Sequence, residues 1–144
     1  MLVQCKIVLL EGATMPSYAK CGDAGADLYP IEDITIPANA IGFKIATGVK
    51  IQMPYGYEIQ VRPKSGNSIN TPIRVILGTV DSGYTGEIGV IVDNLSRWDY
   101  RIPKNKAIAQ IVLNQVDRIS FNHVNELDET DRGEGGFGST GRGI

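Results

Sequence analysis

Histidine and cysteine are nearly absent: His123 stands alone, and Cys5 and Cys21 are the only thiols in 144 residues. One histidine without an evident partner leaves no basis for a nucleophile–histidine–carboxylate triad. Two unpatterned cysteines exclude a disulfide framework and a cysteine-based zinc site, and they are read as reduced core or surface thiols. Excess charge of either sign is also lacking, since 14 Lys and Arg against 16 Asp and Glu leave a formal net of -2. No extended basic surface is therefore expected, which argues against nucleic acid or an anionic membrane as partner. No apolar run approaches the ~20 residues needed to cross a bilayer, and the first residues lack the basic start and small-residue cleavage site of a secretory leader. The expectation is a cytoplasmic protein.

Glycine, by contrast, is plentiful at 17 residues, and the apolar segments between turn signals are short. That combination predicts an all-β fold. Length predicts one folded unit, residues 1–131, followed by a mobile arm, residues 132–144. The chain opens with a strand over 2–10 and an irregular loop over 17–28 that carries Asp23 and Asp27. This carboxylate pair suits metal ligation or the turn chemistry in which Asp bonds its own backbone. Strands are predicted over 34–36, 41–51 (with a bulge at Gly48), 57–61, 73–77 and 108–116, and a turn or helical stub over 67–72. Trp98 and Tyr100 are expected to cover the edge of the core. Gln110 interrupts an apolar run and needs hydrogen-bonding partners, as a structural amide or as a ligand contact.

The stretch GTVDSGYTGEIGVIVDN, residues 78–94, organises the rest. Asp81-Ser82-Gly83-Tyr84 is a turn signal in which Gly83 can take a positive φ, and Ile88, Val90 and Val92 alternate as in a half-buried strand. A hairpin presenting one carboxylate and one ring is predicted, either a solvated surface turn or a clamp for a planar ligand. RPKSG at 62–66 ends a strand with two cations, a hydroxyl and a glycine, which suits phosphate oxygens or a plain surface loop. The arm holds six glycines from Gly133 to Gly143 together with Arg132, Phe137, Ser139 and Thr140. No packed core can form there. Its Gly133-Glu134-Gly135-Gly136-Phe137-Gly138 run imitates a dinucleotide fingerprint, but no helix can follow it. One cation, one ring and two hydroxyls suit a nucleoside phosphate.

Five segments in order resemble the motifs of the trimeric dUTPase family: AGADL (24–28), RPKSG (62–66), GTVDSGYTGEI (78–88), IAQ (108–110) and RGEGGFGSTG (132–141). The resemblance spans nearly the whole chain. It implies a jelly-roll-like β-barrel and a homotrimer whose shared sites are closed by the glycine-rich arm of a neighbour. The activity implied is hydrolysis of dUTP to dUMP and pyrophosphate with Mg²⁺. Asp81 matches the general base, Tyr84 the ring against deoxyribose, and Asp27 a carboxylate at the metal and its waters. Arg62, Lys64, Ser65, Gly66 and Gln110 match phosphate contacts. Gly78 and Val80 match the backbone that reads uracil. Arg132 matches a γ-phosphate clamp and Phe137 the ring over the base, with Gly138, Ser139 and Thr140 beside the phosphates.

Lys64 stands where many members carry Arg, Thr85 and Gly83 replace a frequent Arg and Asp, and Val75 falls where Asn or Asp often supports the base pocket. The related dCTP deaminases carry a catalytic Glu where this chain has Ile91, which cannot move protons. A non-enzymatic interaction protein would not need Asp81, Tyr84 and the complete arm, and a structural barrel leaves RPKSG unexplained. A regulatory protein partner is compatible with the sequence and leaves no motif in it.

Overall fold

The computed structural model describes residues 1–144 and contains ten strands and one short helix. In chain order they are β1 (Lys6–Leu9), β2 (Ala26–Leu28), β3 (Ile34–Ile36), β4 (Phe43–Gln52), β5 (Tyr57–Arg62), α1 (Ser65–Asn70), β6 (Ile73–Val75), β7 (Gly78–Asp81), β8 (Glu87–Asn94), β9 (Tyr100–Ile102) and β10 (Ala109–Gln115). They form two four-stranded antiparallel sheets, β1-β4-β8-β6 and β2-β10-β5-β7, and a small β3-β9 pair. This is the expected all-β, jelly-roll-like barrel. No helix is long and apolar enough to cross a membrane.

Alternation in the sequence sets which face turns inward. Ile45, Thr47, Val49 and Ile51 of β4 and Ile88, Val90, Val92 and Asn94 of β8 are all buried, every second residue on each strand. They meet Leu28, Ile59, Val61 and Ile111 from the other sheet in one contiguous core. Since a one-residue slip would expose every one of these side chains, the pattern fixes the register. The predicted bulge at Gly48 is present, with the β4–β8 register shifting between Ala46 and Lys50. Gly48 sits at φ +70°, and a Cβ there would lie 2.6 Å from Ile31 Cδ1 and 2.7 Å from Ala13 Cβ.

Several boundaries differ from expectation. The first strand is confined to Lys6–Leu9, and the apolar run after Ile73 is split between β6 and β7. The stub after RPKSG begins at Ser65 as a helical turn. Trp98 does not cover the core; it is 78% exposed, while its neighbour Tyr100 packs against the core. Both thiols are free; Cys5 is half-buried, which pushes its pKa up, and Cys21 is exposed. His123 is exposed, as expected.

Asn94 ties the small sheet to the large one. Its amide donates to the carbonyls of Ile36 (3.2 Å), Pro37 (3.0 Å) and Trp98 (2.8 Å) and accepts from Ser96 N (3.0 Å) and Oγ (2.8 Å), all with 1% exposure. At the exposed rim of the same small sheet, Asp33 accepts from Lys104 N at 2.9 Å and Arg101 Nη2 at 2.7 Å, which hold its carboxyl below the ordinary value. Asn94→Ala would orphan several buried groups at once. Denaturant unfolding of this variant should show a loss of about 2–4 kcal/mol, with the slope unchanged.

Candidate active site

The strands flanking Asp81 are not a hairpin. β7 pairs with β5 in one sheet and β8 pairs with β4 in the other, so the chain parts at the turn between them. The two strands leave a cleft of about 280 Å³, floored by Val61, Gly78, Val80 and Ile88 and rimmed by Asp81, Tyr84 and Glu87. Asp81 ends β7 and accepts at its carbonyl from Tyr84 N (3.0 Å), which closes the turn. Gly83 is not among the residues with positive φ, so the turn does not use the freedom expected of it. Tyr84 is fixed at both ends: its hydroxyl donates to Glu87 O at 2.9 Å, and its ring lies so close to Gly86 that a Cβ there would sit 2.4 Å from Oη. Gly86 is therefore the glycine this turn requires. The ring remains 46% exposed at the rim of the cleft.

A second, polar pocket of about 340 Å³ gathers Asp23, Ala24, Gly25, Asp27, Lys64, Ser65, Gly66 and Gln110. Sheet pairing brings these distant segments together, since Asp27 opposes Gln110 and Gln110 opposes Arg62. Lys64 forms an ion pair with Asp27. Gln110 is half-buried and donates to Pro63 O at 2.9 Å, while Gly25 gives it room: a Cβ there would lie 2.2 Å from Gln110 Oε1. Gln110 is thus both a structural amide and a pocket wall. Asp23 follows turn chemistry, accepting from Lys20 N at 2.8 Å. No three metal-ligating side chains converge anywhere in the chain.

The two pockets are far apart within one chain. β2 and β7 are opposite edges of the sheet, three strand spacings apart, and the Arg62 row lies four residues from the Glu58–Asp81 row. At about 4.8 Å per strand and about 3.3 Å per residue, Asp27 and Asp81 are separated by about 20 Å.

Some expected site residues lie outside both pockets. Arg62 turns along its own strand, donating to Gln60 Oε1 at 2.8 and 2.6 Å, and Gln60 donates in turn to Glu58. Val75 opposes Val92 in β6–β8 and lines a third cleft, away from Asp81. Arg132, Phe137, Gly138, Ser139 and Thr140 lie in a string of local turns, and no hydrogen bond ties residues 117–144 to the barrel. Phe137 is fully exposed. Conversely, Lys44, Glu87 and Gly89 line the Asp81 cleft and Asp23 the polar pocket. No local sequence signal marks Lys44, because pairing of β4 with β8 places it there.

A barrel with an aspartate and a clamped ring at one cleft, and a lysine, a hydroxyl and an amide at another, suits a nucleotide-handling β protein. The dUTPase family model matches residues 11–141. The chain is 46% identical over 143 residues to deoxyuridine 5'-triphosphate nucleotidohydrolase of Fusobacterium nucleatum, covering 97% of this chain and 98% of that one. It is 44% identical to the enzyme of that name from Alkaliphilus metalliredigens, covering 90% of each. Among solved structures it is similar to the dUTPase of Staphylococcus bacteriophage 80alpha, a G164S mutant with dUpNHpp, with a TM-score of 0.89, 25% identity and coverage of 95% and 98%. The chain belongs to the dUTPase family.

Gly86→Ala should push the Tyr84 ring out of place and break its bond to Glu87 O. Ring-proton shifts in the NMR spectrum should move, while unfolding free energy changes by no more than about 1 kcal/mol.

Proposed function

We propose that the chain hydrolyses dUTP to dUMP and pyrophosphate as a homotrimer. The observation that carries this reading is Asp81, held at the mouth of the cleft between parted strands with the Tyr84 ring on the same rim. The deoxynucleoside enters that cleft, where backbone groups of Gly78 and Val80 meet the base edge. Tyr84 packs against the deoxyribose and leaves no space for a 2′-hydroxyl. Asp81 takes a proton from a water molecule, whose oxygen forms a bond to the α-phosphorus as the bond from that phosphorus to the α,β-bridging oxygen breaks. The leaving group is pyrophosphate.

The triphosphate needs Lys64, Ser65, Gly66 and Gln110, and these are about 20 Å from Asp81 in one chain. A shared site supplies them: one subunit offers the Asp81 cleft and a neighbour offers the polar pocket. The closed symmetry of a trimer makes three such sites. The polar pocket gathers no three metal-ligating side chains, so a magnesium ion would be held chiefly by substrate phosphates, with Asp27 helping to hold it through water. Such an ion, when bound, offsets negative charge on the phosphates. The arm, residues 132–144, closes over the assembled site, with Phe137 on the base and Arg132, Ser139 and Thr140 on the phosphates. Its lack of bonds to its own barrel is consistent with that role.

Pyrophosphate release from dUTP, dCTP, UTP and dTTP in the presence of magnesium tests the reading. Release should be confined to dUTP and should fall by about 10²–10⁴-fold in Asp81→Asn. Ammonia release from dCTP would instead make the protein a deaminase. A chain truncated before Arg132 should melt at the same temperature as the full chain yet lose most turnover. Undiminished turnover would remove the arm from the mechanism.

A further inference from the structure

The one cation that lines the polar pocket is already bonded to a carboxylate of the same pocket. Lys64 pairs with Asp27, and the two side chains are only 30% and 16% exposed. The backbone on both sides is fixed. Asp27 opposes Gln110 in the β2–β10 ladder, Gln110 donates to Pro63 O at 2.9 Å, and Lys64 O accepts from Ser68 N at 3.0 Å. What can change is where the Lys64 ammonium points, since it ends a flexible four-carbon stem. One lysine against Asp23 and Asp27 leaves the pocket lining with a formal charge of -1, the wrong sign for a triphosphate. Arg62, across from Gln110, is turned to Gln60 and does not correct it. Arg132 belongs to a segment that no hydrogen bond ties to the barrel.

We propose that the Lys64–Asp27 ion pair is a latch that makes nucleotide binding depend on magnesium. The proposal rests on the dUTPase reading above and deepens it. A triphosphate that draws Lys64 to itself leaves the Asp27 carboxylate unpaired, largely buried and facing phosphate oxygens, an arrangement that like-charge repulsion opposes. A triphosphate that leaves the pair intact finds no available cation in the pocket. A metal-free nucleotide is disfavoured either way. With magnesium on the phosphates, Asp27 has a positive partner through water, and Lys64 is free to donate to a phosphate oxygen as a point charge. Nucleotide and metal then strengthen each other's binding by one and the same factor. Asp23 does not share in the latch, because it accepts from Lys20 N within its own turn.

Calorimetric titration with dUpNHpp, in magnesium and in EDTA, tests the latch without turnover. Magnesium should tighten binding to the wild-type chain by about tenfold or more. Asp27→Asn opens the latch, so in EDTA it should bind the analogue about tenfold or more tighter than wild type, and the magnesium effect should shrink to match. Asp27→Asn/Lys64→Met has the formal charge of the wild-type pocket and no lysine to release. Its affinity in EDTA should therefore return to within about threefold of wild type. A merely structural ion pair predicts the opposite sign, with Asp27→Asn binding more weakly in both conditions. That result, or a double variant that keeps the whole gain, would overturn the proposal. A wild-type chain that binds the analogue in neither condition would remove the dUTPase reading itself.

Discussion

Everything in the site depends on how the two strands around the Asp81 turn choose partners. β7 bonds to β5 and β8 bonds to β4, so the backbone that would have closed a hairpin ladder is spent on two different sheets. The gap left between them is the cleft. Its rim is held without a lid: the Asp81 carbonyl takes the Tyr84 amide, and the Tyr84 hydroxyl reaches Glu87 O across Gly86. The rim is thereby positioned by backbone that the barrel core already orders. Val80, Ile88 and Val90, all buried, anchor both sides.

The same sheet geometry divides the chemistry. Antiparallel pairing stacks Asp27, Gln110 and Arg62 in one row and places Asp81 in another, on the far edge of a four-stranded sheet. A side chain spans only a few ångströms, so no rotamer change brings Asp81 to the polar pocket across about 20 Å. Assembly of copies is the simplest way to join the halves. The separation also explains why the chain can keep Lys64 paired with Asp27 without neutralising the Asp81 cleft.

The sequence exposed the elements whose burial is periodic. β4, β5, β8 and β10 follow their alternating apolar residues closely, and the bulge at Gly48 followed from a glycine inside such a run. The site motifs were legible as sets, because Asp27, Lys64, Ser65 and Gln110 do converge. What failed were the long-range partnerships. A turn between two strands reads as a hairpin, yet the partner of each strand lies elsewhere in the chain, and nothing local encodes that choice. The position of Lys44 in the cleft was invisible for the same reason. Trp98 was misjudged because an aromatic residue beside a strand usually packs inward, whereas here Asn94 takes the Trp98 carbonyl and leaves the indole outside. Arg62 was counted with the phosphate ligands on motif alone, while Gln60 two residues away captures its guanidinium.

The central claim is that one site takes Asp81 from one subunit and the polar pocket from another, and subunit complementation tests it most directly. Asp81→Asn and the double variant Ser65→Ala/Gln110→Ala would be prepared separately, then unfolded and refolded together in equal amounts. With random assortment, about one site in four combines an intact Asp81 with an intact polar pocket, so the mixture should recover about a quarter of wild-type dUTP turnover. A mixture as inactive as its two parents would place both halves of the site in one chain and contradict the account.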